Sequence, residues 1–105
     1  MEIKEELSST IVKQLFHAIL SLNTKQECME FFDDLCTINE LKSFSQRLEV
    51  ARMVKDGDTY MDIQVETGAS SSSIKRIKRL IESGGGGYEL VLNRMEGLEP
   101  FEETG

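Results

Sequence analysis

The chain has 105 residues, enough for one domain with a modest core. Apolar residues make up 39% and charged residues 30%, which reads as globular rather than disordered, and no apolar run is long enough to span a membrane. A net charge of −7 argues against nucleic acid for the chain taken whole, and two cysteines with one histidine are too few for a zinc site of usual spacing.

The opening "MEIKEEL" is acidic-leaning and has no basic-then-apolar signal pattern, so a cytoplasmic location is expected. From Ile3 to Leu22, apolar residues recur at Ile3, Leu7, Ile11, Leu15 and Ile19, with Val12, Phe16 and Leu20 in an adjacent row. This spacing predicts a helix that Asn23 ends. His17 reads as a helix-surface or packed histidine rather than a catalytic base, because it has no evident partner.

"TKQE" at 24–27 has the spacing of a capping box and opens a second helix carrying Cys28, Phe31, Phe32 and Leu35. Cys28 and Cys36 sit among apolar residues and are expected to be buried structural thiols. A second box, "TINE" at 37–40, opens a helix with Leu41, Phe44, Leu48, Ala51 and Val54 on one face, and Gly57 is its expected stop. Thr59 starts a third capping signal, "TYMD", and a short helix to about Thr67. Gly68 follows as a tight turn.

The next stretch, "ASSSSIKRIKRL", could be a linker on its serines alone. The apolar residues Ile74, Ile77, Leu80 and Ile81 instead mark one face of a helix, with Ser70 placed as its N-cap. "GGGG" at 84–87 is expected to break that helix, and "YELVLNRM" to form a last short one. Residues 98–105, "LEPFEETG", read as an acidic, frayed tail. The expected architecture is all-α, with about six helices in one domain over residues 1–97.

Charge is unevenly distributed along this frame. Residues 1–40 carry −5 and residues 82–105 carry −5, whereas residues 41–81 hold eight bases against five acids. An anionic partner must meet this basic middle. "TYMDIQVETGASSSSIKRIKRL" fits a helix-turn-helix over about 59–82. Ile63 would pack the first helix on the second, Gly68 and Ala69 would make the junction, and Ile74 and Ile77 would face the core. Gln64, longer than the small residue usual there, must then point outward. In such units the N-terminal end of the second helix enters the DNA major groove. The candidate DNA-binding residues are Thr59, Ser70, Ser71, Ser72, Ser73, Lys75, Arg76, Lys78 and Arg79. Ser71, Ser72 and Lys75 are assigned to base edges, and Lys78 and Arg79 to phosphates. No catalytic set can be assembled, so an enzyme is not expected.

The segments "FFDDLCTINELKSFSQRLEVARMV" and "TGAS" followed by "IKR" resemble the Trp repressor superfamily, in particular its small Trp-repressor-like bacterial proteins. The resemblance covers roughly Leu15 to Met95. It implies an all-helical fold in which two chains intertwine through their non-DNA-binding helices, with one helix-turn-helix per chain reading one half-site. It also implies a possible effector pocket. A Thr and an Arg that line the family's tryptophan pocket are matched by Thr37 and Arg47, and a second Arg by Arg76. The family's Gly beside that second Arg is Ile77 here, and a Ser further on is Leu80, which speaks against tryptophan as corepressor. Arg47 is then expected in an ion pair or a capping bond. The resulting expectation is a homodimeric repressor of transcription that binds double-stranded DNA, without membrane, metal or cofactor. The competing expectation is a helical protein–protein interaction module, which the net charge favours.

Overall fold

The computed structural model describes residues 9–84 and 86–97. Among the described residues there are six helices and no strand: α1 (Thr10–Leu20), α2 (Lys25–Leu35), α3 (Ile38–Lys55), α4 (Tyr60–Thr67), α5 (Ser71–Glu82) and α6 (Gly86–Met95). The all-α expectation holds. The described chain falls into two compact units, divided between Leu41 and Lys42. The acidic tail at 98–105 lies outside the described residues.

The helix ends follow local chemistry. Ser9 is extended, and its hydroxyl accepts from the Val12 amide, so α1 starts at Thr10. Ile3 and Leu7 lie outside the described residues. The helix also closes earlier than Asn23, at Leu20, where the Ser21 amide takes the last-turn carbonyls. In the Thr24 box the Glu27 amide donates to the Thr24 hydroxyl at 3.1 Å, but the Glu27 carboxylate accepts from Asn23, one residue before the cap. Thr37 and Glu40 make the full reciprocal box, at 3.1 and 2.8 Å. Asp62 donates its amide to Thr59 and returns no bond with its carboxylate, which is one methylene shorter than that of Glu.

Gly57 ends α3 as expected. Its φ of +86° lets Asp58 N–H reach the Met53 carbonyl while its own N–H reaches Val54. This double bond is the Schellman arrangement. The glycine run is different from the expectation. Gly84 has positive φ and follows the end of α5, yet Gly86 and Gly87 belong to α6, which begins two residues before "YELVLNRM".

In the first unit, no described residue is fully buried. Ile11 and Leu20 are each 80% exposed, and Phe16 and Leu35 are about half exposed. Cys28 is exposed and Cys36 half-buried, and both are free thiols. The expectation of buried cysteines fails: no described residue of this unit is buried enough to cover them. The second unit contains the core. Val50, Ala51 and Met53 of α3, Ile63 of α4, Ala69 of the turn, Ile74 and Ile77 of α5 and Leu92 of α6 pack together. The expected α3 stripe is rotated: Val50 and Met53 are buried, whereas Phe44 is 48% exposed. Alternatives one residue apart differ by only about 100° around a helix, and both rows are apolar.

Arg52 lies on the solvent side of α3 and donates to both oxygens of Glu49, at 2.9 and 2.7 Å, and to Asp56 at 2.8 Å. The hydrogen bond to Glu49, with the charges of Glu49 and Asp56, raises the Arg52 pKa, and the hydrogen bond from Arg52 lowers that of Glu49 against the opposing effect of burial. At the end of α3, Lys55 bonds Asn93 and pairs with Glu96 at 3.6 Å, tying α6 to α3.

Two outcomes follow. Ile74 has no exposure, so Ile74→Ala should cost about 2–5 kcal/mol, read as a shift of the urea midpoint. The Glu49 carboxyl is lowered in the folded state, so its contribution is complete above the ordinary carboxylate range and fades as pH falls through the folded value. Both partners are nearly half exposed, so Glu49→Gln should cost only about 0.2–1 kcal/mol at neutral pH. The difference between wild type and variant should vanish in acid melts.

Candidate nucleic-acid interface

The unit from Thr59 to Glu82 is built around its turn. Gly68 adopts φ +73°, and its amide takes the Gln64 carbonyl, closing α4. The left-handed region costs a side chain about 1–2 kcal/mol, which glycine avoids. Thr67 does two jobs: its hydroxyl donates to the Ile63 carbonyl at 2.7 Å and accepts from the Ala69 amide at 3.1 Å. From α3, Gln46 Nε2 donates to the Thr67 carbonyl at 3.0 Å. The turn is thus held from inside and from α3. Ile63 is 1% exposed and Ala69 5%, as the junction requires, and Gln64 points outward.

Ser70 is extended and caps α5, accepting from the Ser73 amide at 3.2 Å. Its hydroxyl also lies 3.1 Å from those of Ser72 and Ser73. The serines are therefore a helix start. Ile74 and Ile77 turn into the core, at 0% and 2% exposure. That leaves Ser71, Ser72, Ser73, Lys75, Arg76 and Arg79 exposed. Leu80 departs from the expected apolar face. It is 36% exposed, about a quarter turn from the centre of the Ile74–Ile77–Ile81 stripe. The side chains of Ser71, Lys75, Arg76 and Arg79 have no hydrogen-bond or ion-pair partner among the described residues. Thr59 is exposed at the start of α4, its hydroxyl committed to capping.

Lys78 differs from its neighbours. It is half-buried, and its ammonium sits 5.0 Å from the centre of the Tyr60 ring. A shallow groove beside it is lined by Tyr60, Lys75, Lys78, Arg79 and Glu82. Tyr60 and Glu82 were not among the sequence candidates. Tyr60 immediately follows the Thr59 cap, but 18 residues separate it from Lys78, and no local pattern links them.

The expected effector residues have other engagements. The Thr37 hydroxyl caps α3. Arg47 makes neither an ion pair nor a capping bond among the described residues; its guanidinium lies 5.8 Å from the Phe44 ring centre instead. The reason is position: no acid on α3 comes within its reach, whereas Phe44 stands three residues earlier on the same face. Arg76 is exposed. Ile77 fills the core, while Leu80 does not reach it.

On the far side of α4 from Tyr60, a second groove is lined by Glu49, Arg52, Met53, Asp58, Met61, Asp62, Val65 and Glu66. Met61 and Val65 are 74% and 77% exposed there. Among the described residues no group of three or more His, Cys, Asp or Glu could hold a metal ion, and no helix is long and apolar enough to cross a membrane.

Comparison with known proteins agrees with this geometry. The family model described as Trp repressor protein matches residues 10–96. The chain is 50% identical over 95 residues to the uncharacterized protein YerC of Bacillus subtilis (strain 168), covering 90% of this chain and 91% of YerC. A crystal structure of a TrpR-like protein from Eubacterium eligens ATCC 27750 superposes with a TM-score of 0.82 at 47% identity, covering 91% of this chain and 99% of that one. One from Staphylococcus aureus, provisionally described as a Trp repressor, gives the same TM-score and identity over 95% and 99%.

The turn bonds can be tested separately from the core. Thr67→Val keeps shape and removes both hydroxyl bonds, and should cost about 1–3 kcal/mol in chemical denaturation. Gln46→Ala should cost about 1 kcal/mol and accelerate amide exchange at Gly68 and Ala69 more than in α3.

Proposed function

The chain belongs to the Trp repressor family, and from that membership we propose that it is a sequence-specific DNA-binding regulator, acting as a homodimer and repressing by occupancy of its site. The observation that carries the reading is the division of α5. Its isoleucines are buried, while its first turn of serines and the cations Lys75, Arg76 and Arg79 are left exposed and unpaired. A helix tip of small hydroxyl residues can approach base edges closely, and the helix N-terminus favours the anionic backbone. In this proposal Ser71, Ser72 and Lys75 meet bases. Thr59, Ser70, Ser73, Arg76, Lys78 and Arg79 hold phosphates or the helix start.

The apolar surface of the first unit supports the dimer. Ile11, Leu15, Phe16, Leu20, Met29 and Leu35 are exposed in the single chain. Covering such surface stabilises by about 25 cal/mol per Å², and a second copy would cover it as the resemblance to intertwined dimers implies. Residues 1–97 would then behave as one cooperative domain. Two recognition helices about 34 Å apart would read successive major grooves of a near-palindromic site. Tryptophan is not proposed as corepressor, since Ile77 occupies the place of the family's glycine and is packed at 2% exposure. The reading places the protein in the cytoplasm, with no catalytic role.

A second reading is favoured by the net charge of −7 and by the groove of Met61 and Val65 among acids. In it, the chain is an interaction module whose α3–α4 groove takes a basic protein segment.

Duplex selection on the purified protein, with and without tryptophan, tests the proposal. One near-palindromic sequence should be enriched equally in both conditions, and sedimentation should give a dimer. Lys75→Gln should cost about 1–3 kcal/mol on that sequence if it bonds a base. Arg79→Gln should weaken all duplexes alike and reduce the salt slope by about 0.9. No enriched duplex, with a basic peptide bound at the α3–α4 groove, would sink the DNA reading in favour of the second.

A further inference from the structure

We infer that the groove between α4 and α5 seats one phosphate of a DNA backbone, and that Tyr60 is the positioning residue that holds Lys78 in it; the inference rests on the DNA-binding reading above. Three cations, Lys75, Lys78 and Arg79, line the groove against one carboxylate, Glu82. None of the three forms an ion pair among the described residues. Arg52 is the contrast, since it is paired with both Glu49 and Asp56. The groove therefore keeps an excess of positive charge for an outside anion, and Glu82 disfavours a second phosphate there.

Within the groove, Lys78 alone has its head group held. The Tyr60 ring sits 5.0 Å from its ammonium and is itself 37% exposed, so one side of the ammonium is occupied and the other stays open. A cation over an aromatic face keeps its hydrogen-bond donors available while losing rotamer freedom. That freedom is what a flexible lysine otherwise gives up when it meets a phosphate. The position along α5 suits this role. Lys78 is seven residues from Ser71, about 10 Å along the helix axis. A helix whose tip enters the groove meets the bordering backbone at such a distance.

A double-mutant cycle tests the role. Affinity for the selected duplex is titrated at several salt concentrations for wild type, Tyr60→Leu, Tyr60→Phe, Lys78→Gln and Tyr60→Leu/Lys78→Gln. Thermal melts confirm that each variant is folded. Tyr60→Leu should weaken binding about 2- to 5-fold, and Tyr60→Phe should retain wild-type affinity because it keeps the ring. Lys78→Gln should lower the salt slope by about 0.9, and adding Tyr60→Leu to it should change nothing further. If Tyr60→Leu weakens binding equally in the Lys78→Gln background, or Tyr60→Phe is as weak as Tyr60→Leu, the positioning role is overturned. A wild type that binds its duplex while the cycle is additive removes this inference alone. A wild type that selects no duplex removes the DNA reading and this inference with it.

Discussion

The structure of the second unit depends on one constraint: Ile74 and Ile77 must leave water together with Ile63, against Val50 and Ala51. Each buried isoleucine is worth about 1.5–3 kcal/mol, a large share of the stability of a small core. Because an α-helix advances a fixed angle per residue, burying those two positions sets the rotation of all of α5. The outward direction of Ser72, Lys75, Arg76 and Arg79 is then a geometric consequence, and no interaction of their own is needed to aim them. The charged face is free for a partner because the apolar face has done the positioning.

The turn between α4 and α5 protects that rotation. Gly68 supplies the left-handed residue, the Thr67 hydroxyl bridges Ile63 and Ala69, and Gln46 fixes the Thr67 carbonyl from α3. These are local polar bonds of about 1 kcal/mol each, so they tune the junction more than they drive it. The α4 helix that they anchor has two different sides. One faces the groove with Tyr60 and the cations of α5, the other the groove with Met61, Val65 and the acids. A net charge of −7 is compatible with a basic face on α5, since residues 1–40 and 82–105 carry the acidic excess.

The first unit has the reverse character. Its caps are as well made as any in the chain, with Ser9, Thr24 and Thr37 each accepting a first-turn amide. Yet no described residue there is fully buried, and large apolar side chains stand in solvent. Well-capped helices whose described residues form no buried core have their local structure settled and their burial deferred. That asymmetry between the two units is the physical ground for proposing a second copy.

Much of this was legible in the sequence because it is local. Thr24, Thr37, Thr59 and Ser70 announce their caps by hydroxyl type and three-residue spacing, and Gly57 and Gly68 announce their turns by the φ they permit. The family resemblance and the buried phase of Ile74 and Ile77 were legible for the same reason, since both lie in contiguous stretches. Other features depend on residues distant in the chain. Whether α3 buries Ala51 with Val50 and Met53 or with Phe44 is decided by what α4, α5 and α6 bring against it, and helical spacing alone admitted both. The cysteines looked buried among apolar neighbours, but those neighbours are themselves at least partly exposed among the described residues. The "GGGG" run looked like one break, whereas Gly86 and Gly87 begin α6, the helix whose Tyr88 and Leu92 pack on the core. Tyr60 was invisible as a site residue because its partner, Lys78, is on another helix. The sequence by itself determined where helices begin, turn and show charge, since those depend on a few neighbouring residues. Only the tertiary structure decided which faces meet, because that depends on pairs of residues brought together by folding.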